Sequence, residues 1–287
     1  YNIAIDYQAF SQATDDCDNN IAIGVAAMGG SIASNDVSDC VAIGHEAMDA
    51  VLTSTATGTV GIGYQSLSAL TSGAGNTAVG YQAGNLITTA TNNTYVGHRA
   101  GDATHIDASS NTVLGSGAFG GSHTGTVCHY NTAVGHNTLA GAMNGADGNT
   151  AIGYLAGNAV TTASNNVAVG YQSLVANTTG SENVAVGAYA LDASLTAANN
   201  TAVGHQALGT TTAGNNTAVG FYAGGAIDSG GANTCIGNEA GDSITSGGQN
   251  VCVGNNAGDA ITSGGANTCI GNDTDADFDQ GNQIAIG

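Results

Sequence analysis

The sequence predicts an all-β chain, a repetitive parallel β-roll or solenoid of about seventeen coils of roughly 17 residues each. Three observations predict it. A five-residue phrase, Asn76-Thr77-Ala78-Val79-Gly80, returns along the whole chain. Its last glycine falls at positions 24, 44, 63, 80, 97, 115, 135, 153, 170, 187, 204, 220, 237, 254, 271 and 287, so spacings run from 16 to 20 with 17 commonest. A fixed period of this size is the signature of a stacked array. The second observation is composition: 46 Gly, no Pro, no Trp, and few of the residues that favour helices. The third is that short Val, Ile, Thr and Tyr runs are bounded by Gly, Asn, Asp and Ser, which reads as strands between turns.

One repeat, residues 166–182, can be taken position by position. Asn166 to Gly170 is read as a short strand, in which Val167 and Val169 share one face while Ala168 points to the other. Both faces are apolar, so both are expected to be covered. Gly170 permits a bend that a Cβ would hinder. A second short strand is expected after it, with a small residue at its third position: Ala83, Ala100, Ala118, Ala156, Ser173, Ala190, Ala207, Ala223, Ala240 and Ala257. A polar turn then returns the chain to the next Asn. Stacked at about 4.8 Å per coil, such a roll would form a rod of roughly 80 Å.

Along the chain, residues 1–75 hold the looser copies, beginning with the degenerate Asn2-Ile3-Ala4-Ile5-Asp6. Residues 76–271 hold the regular ones, with one longer interval between Gly115 and Gly135. Residues 272–287 form an Asp-rich last coil. No linker or compositional break divides residues 1–287, which read as a single continuous repeat domain. The chain opens on Tyr1 and closes on a motif glycine, Gly287, and is expected to be a segment of a longer one.

The repeat aligns like residues into columns. The expected structural ladder includes Asn76, Val79 and Gly80, Asn166, Val169 and Gly170, and Asn216, Val219 and Gly220. The Asn column is expected to hydrogen-bond from coil to coil, as amides do in other stacked sheets. Sequons at Asn92, Asn177, Asn199 and Asn215 are read as products of a repeated turn rather than as glycosylation sites. Cys235, Cys252 and Cys269 fall 17 apart at the strand centre and read as a ladder of small buried thiols. A roll with an Ala interior leaves its Val/Ile column either exposed as an apolar stripe, which marks an interface, or wrapped inside each coil.

The formal charge is −20, with Arg99 the sole Lys or Arg. Phosphate neutralisation needs basic residues, so nucleic-acid binding is excluded, and anionic membrane surfaces are disfavoured for the same reason. No apolar run approaches the roughly 20 residues of a membrane span. Salt would screen such an acidic surface over about 10 Å or less.

Chemistry-bearing constellations are sparse. Asp273, Asp275, Asp277 and Asp279 alternate before Gly281 and form a weak calcium set, since calcium takes several oxygens from loops of this kind. The glycine is misplaced and no Glu follows, so a solvated acidic turn is preferred and no cofactor is assigned. His123, Cys128 and His129 carry metal-type ligands in one loop but fall short of a four-ligand zinc spacing. His45, His98, His136 and His205 follow motif glycines where other copies have Tyr or Phe, which reads as a corner column. No nucleophile–base order, carboxylate pair or phosphate loop stands out, so no catalytic residue is assigned and an enzyme is not expected.

The phrase Asn-[Thr/Val]-Ala-[Val/Ile]-Gly-x-x-[Ala/Ser] resembles the head repeat of YadA-type trimeric autotransporter adhesins. Runs such as 76–84 and 233–242 are similar to repeats of tailed-phage fibre proteins. The resemblance covers essentially the whole chain, although the adhesin period is usually shorter and the turns here are longer. It implies a left-handed roll that assembles as a homotrimer. It further implies a structural role in an extracellular or virion-surface fibre, with other fibre or virion proteins and a host-surface glycan or protein as partners. The reading set against it is a monomeric solenoid whose Thr-rich face binds a glycan or ice.

Overall fold

The computed structural model describes residues 1–12, 17–32, 37–103, 107–122, 125–276 and 280–287. The chain groups into two compact units, Tyr1–Gly148 and Asn149–Gly287, each taken by itself below. Both are parallel β-solenoids built from one three-residue strand per coil.

In the first unit the strands are β1 (Ile3–Ile5), β2 (Ile21–Ile23), β3 (Val41–Ile43), β4 (Val60–Ile62), β5 (Thr77–Val79), β6 (Thr94–Val96), β7 (Thr112–Leu114) and β8 (Thr132–Val134). Each pairs with the next, parallel and in register, as in Ala78 opposite Tyr95 and Tyr95 opposite Val113. The second unit repeats this with β9 (Thr150–Ile152), β10 (Val167–Val169), β11 (Val184–Val186), β12 (Thr201–Val203), β13 (Thr217–Val219), β14 (Thr234–Ile236), β15 (Val251–Val253), β16 (Thr268–Ile270) and β17 (Ile284–Ile286). Its ladder runs from β9 to β17 in sequence order.

The wiring is the same in coil after coil. Thr77 N–H donates forward to the Asn93 carbonyl, and Gly80 N–H donates back to the Ile62 carbonyl, each at 2.8 Å. The motif glycine is required by its neighbour. Gly80 has φ +140°, and a Cβ there would lie 2.3 Å from the Gly97 carbonyl oxygen of the next coil. Only glycine both adopts that backbone and permits that approach.

Among the described residues the expected second strand is absent: the segment after the motif glycine is a pair of tight turns. Ala83 N–H closes a turn onto Gly80 O at 3.4 Å, and Ile87 N–H closes the next onto Gly84 O at 3.4 Å. Positive φ recurs at alternate residues, Gln82 at 53° and Gly84 at 58°, and likewise Gln172 at 52° and Leu174 at 53°. The reason lies in the core. Ser173 and Leu174 are both buried, as are Ala83 and Gly84. A strand would send two such consecutive residues to opposite faces. The turns still bind along the stack, for Gln82 N–H donates to Tyr64 O and Gly84 N–H to Ala100 O.

In the second unit the interior of each coil through Ile261 is small and is filled in one of two ways. Where the residue after the small position is Leu, the residue three later is polar in Leu174 with Asn177, Leu191 with Ser194, and Leu208 with Thr211. Where it is Gly, the later residue is branched and apolar: Gly157 with Val160, Gly224 with Ile227, Gly241 with Ile244, and Gly258 with Ile261. A Cβ at Gly224 would lie 2.9 Å from Ile227 Cδ1, so the isoleucine occupies what the leucine fills elsewhere. Leu67 and Leu70 occupy both places in one coil of the first unit.

Candidate functional site

Four columns are candidates for function, and each follows from the coil geometry. The first is the sheet face. The strand centre points inward, with Ala78, Ala168 and Ala218 at most 1 % exposed. The two flanking positions therefore point outward. Val79 and Val169 are half-buried against their coil neighbours, while Leu114 is 48 % exposed and Val219, Ile236 and Ile270 are each near 40 %. The coil does not wrap its Val/Ile column inside. The outer position before it carries Thr or Val, with Thr94 and Thr112 exposed.

The second column is the Asn ladder. In the second unit, Asn183 N–H and Nδ2 both donate to Asn166 Oδ1 at 2.9 and 3.1 Å, and Asn183 Nδ2 also reaches Ala197 O at 2.9 Å. Asn200 N–H then donates to Asn183 Oδ1 at 3.0 Å. Asn216 N–H donates to Asn200 Oδ1, and Asn233 N–H to Asn216 Oδ1, each at 2.9 Å. In the first unit Asn93 N–H and Nδ2 donate to Asn76 Oδ1, both at 3.0 Å. Cys40 stands in this column. Its N–H keeps the bond to Asn20 Oδ1 at 3.0 Å, and its Sγ donates to Ala56 O at 3.2 Å. These residues are buried and hold the coils together, so nothing in solution reaches them.

The third is the thiol ladder. Cys235 lies opposite Cys252, and Cys252 opposite Cys269. All six cysteines are unbridged and buried. The contact with Cys235, followed by burial, pushes the Cys252 thiol well above the usual range. Burial pushes Cys269 up to about 11. Such thiols are inert at neutral pH. The glycine four positions past the motif glycine makes room for them: a Cβ at Gly258 would lie 2.4 Å from Cys252 Sγ.

The fourth is the corner column of rings. In the first unit His45, Tyr64, Tyr81 and His98 stack in order, with centroid steps of 5.5, 5.1 and 5.1 Å and interplanar angles of 16°, 12° and 9°. In the second, Tyr154 stacks on Tyr171 at 5.3 Å and His205 on Phe221 at 5.5 Å. These rings are exposed at their edges. An amide column runs beside them, with Gln82 Nε2 donating to Gln65 Oε1 at 2.9 Å. Arg99 occupies that second column, its Nε 3.7 Å from Asp102 Oδ2.

The remaining predicted groups fall apart or lie elsewhere. Asp273 Oδ1 accepts from Asn256 Nδ2 at 2.8 Å, and Asp275 Oδ1 from Ala260 N–H at 3.2 Å. Asp277 and Asp279 lie outside the described residues. Among the described residues no group of three or more His, Cys, Asp or Glu is placed to hold a metal. Asp259, which the sequence reading passed over, sits beside Asp275. Burial first, then Asp275, pushes its carboxyl up to about 6. His123 is also outside the described residues. Cys128 turns into the core while His129 Nδ1 accepts from Ser109 N–H at 3.1 Å. Of the sequons, Asn92, Asn199 and Asn215 are exposed, but Asn177 is fully buried, which bars a glycan there.

Two features escaped sequence reasoning. One is Tyr95, a ring at a strand centre flanked by Ala78 and Val113; its signal was the glycines at 84 in the preceding coil and 101 in its own. The other is Tyr189, which leaves its own column and makes edge contacts with Tyr171 at 5.3 Å and His205 at 5.9 Å. The signal was Ala188, a missing ring in the corner column.

No known family model matches the chain, and neither a curated protein nor a solved structure matches it. Among the described residues no helix is long and apolar enough to cross a membrane.

Proposed function

We propose that this chain is a structural segment of an extracellular or virion-surface fibre that assembles as a homotrimer and serves attachment. The observation that carries the reading is the Val/Ile column, which stays outside the coil in both units, from Leu114 to Ile236 and Ile270. A continuous apolar stripe of this kind marks an interface. A second copy of the same chain supplies a matching stripe, because the spacing of the coils is the same in both. The charge of −20 disfavours close association elsewhere on the surface, so contact would be concentrated on the uncharged face. The resemblance of the repeat to adhesin heads and phage fibres supports three copies rather than two. Attachment to a host-surface glycan or protein, and joining to other fibre proteins, come from the same resemblance.

The test is native mass of the wild type beside a triple variant, Ile152→Glu, Val219→Glu and Ile270→Glu. Three chains per particle for the wild type and one for the variant, with strand content unchanged, is the expected result. A single-chain wild type would overturn the assembly. The Thr94–Thr112 part of the same face would then support a monomeric module binding a glycan or ice.

A further inference from the structure

The ring column skips a place at Ser116 in the first unit and at Ala188 in the second, and these two skips are resolved differently. In the second unit the skip is Ala188. The next residue, Tyr189, puts its ring there and meets Tyr171 and His205 edge-on, with interplanar angles of 68° and 75°. A one-coil skip between flanking rings is therefore large enough to take a six-membered aromatic ring. In the first unit the skip is Ser116, followed by Gly117, which has no side chain to send in.

Backbone bonds fix what flanks this notch. Gly117 N–H donates to His98 O at 3.0 Å, and Asn137 N–H donates to Ser116 O at 3.1 Å. Ser116 thus lies one coil from His98 and one from His136. Two coil steps span about 9.6 Å, roughly two of the 5.1 Å centroid steps seen from Tyr64 to Tyr81 and from Tyr81 to His98. The rings in that column are near parallel and offset, as stacked aromatic rings prefer. The notch continues their stack by one vacant place, with Ser116 as its exposed floor.

Gly117 brings no side chain of its own to the amide column; the Asn137 amide reaches over it from one side, since a Cβ at Gly117 would meet Asn137 Oδ1, and the flanking member on the other side is Arg99, the sole Lys or Arg of a chain with charge −20. The Arg99 side chain is 54 % exposed and touches Asp102 through Nε. Asp102 leans toward the notch coil, since a Cβ at Gly120 would lie 3.1 Å from its Oδ1. The chain's one guanidinium is thereby held beside this unfilled ring place, in the planar form that pairs with carboxylates.

We propose that the notch at Ser116 and Gly117, bounded by His98, Arg99 and the His136 coil, binds a small aromatic carboxylate. The ring continues the stack beyond His98, and the carboxylate pairs with Arg99. This stands apart from self-association through the sheet face, which uses other residues.

Ligand-observed saturation-transfer NMR with benzoate tests it, with benzamide as the neutral probe and glucuronate as a non-planar acid. Two variants import residues that other coils already use at the same place: Ser116→Tyr, as at Tyr64 and Tyr81, and Arg99→Gln, as at Gln65 and Gln82. Benzoate is expected to bind the wild type in the millimolar range, and S116Y to abolish binding. R99Q is expected to weaken benzoate roughly threefold to tenfold, down to the level of benzamide, whose own binding it leaves unchanged. No benzoate signal with the wild type, or an S116Y variant that binds as well, would overturn the site. Glucuronate binding as tightly as benzoate would overturn the aromatic ring as the recognised group. Circular dichroism of both variants confirms that any loss is local.

Discussion

The Tyr95 ring fits against Gly101. A Cβ at Gly101 would lie 2.4 Å from ring atoms Cδ1 and Cε1, and one at Gly84, on the other side, 2.9 Å from Cδ2. The largest fully buried side chain of the described residues is thus accommodated by removing side chains from the coils around it. Gly101→Ala would overpack this pocket at a residue with φ +62° and is expected to destabilise the first unit by roughly 1–3 kcal/mol. Tyr95→Ala opens a cavity and is expected to destabilise it by roughly 3–5 kcal/mol. Because the two share one space, the double variant should lose less than the sum of the single ones. Denaturant unfolding of the three variants checks this; additivity would mean the ring and the glycine do not interact.

Asn183 makes the second prediction. Its side chain accepts from Asn200 N–H, and donates to Asn166 Oδ1 and Ala197 O. Asn183→Ala leaves the buried Asn200 N–H and Ala197 O without these partners, while Asn166 Oδ1 keeps the bond from the Asn183 N–H, and a loss of roughly 1–3 kcal/mol is expected. Cys40 and Thr59 occupy the same column elsewhere, and Cys40 keeps the bond from its own N–H. Comparable unfolding midpoints for Asn183→Ala and wild type would show that the ladder is decorative.

Asn177 and Ser194 make the third. Both are buried, and among the described residues Asn177 Oδ1 and Nδ2 and Ser194 Oγ have no hydrogen-bond partner. The Leu67–Leu70 coil shows that two leucines fit in one interior. Asn177→Leu is therefore expected to stabilise the second unit by about 1 kcal/mol or more. A loss of stability instead would indicate an ordered water holding the amide, which nuclear Overhauser contacts to water would locate.

The fourth concerns pH. The five aspartates with displaced ionisation, Asp49, Asp102, Asp192, Asp242 and Asp259, are all displaced upward, burial being the largest cause in each. A carboxyl whose folded-state value exceeds its unfolded one favours the folded state when protonated. Its contribution is fully present below about pH 4 and is lost as pH rises through the folded value, about 6 for Asp259. Thermal midpoints in low salt should therefore rise as pH falls from 7 to 5, helped by relief of the −20 charge. Asp259→Asn should reduce the rise. Midpoints that fall over that range would contradict the upward shifts.

Much of this was legible because a repeat writes each structural rule many times. The motif glycine, the inward Ala168 and the Asn column all follow from period and alternation. The turns after Gly80 were not legible as turns. Gln82, Leu174 and Glu46 at positive φ leave no residue signature, since the hydrogen bonds between coils impose that backbone on ordinary side chains. The corner column was visible as Tyr and His at one position, but the outcome of its skips was not, because whether Ala188 or Ser116 leaves a hole depends on the side chain that follows. The Asp259 neighbourhood was hidden for another reason: Asp273 and Asp275 alternate in the sequence, whereas Asp259 reaches them only through stacking.

The sameness of the coils also sets a problem of address. Strand centres, motif glycines and amides are nearly alike in successive coils, so a strand that skipped one coil during folding would still find compatible partners for most of its backbone. Such a chain would loop out about seventeen residues and remain largely ladder-bonded. Correct order has to be read from the exceptions. Tyr95 can be seated only against a preceding coil that brings Gly84, and Cys252 only against one that brings Gly241. The irregular residues are the serial numbers of an otherwise interchangeable stack.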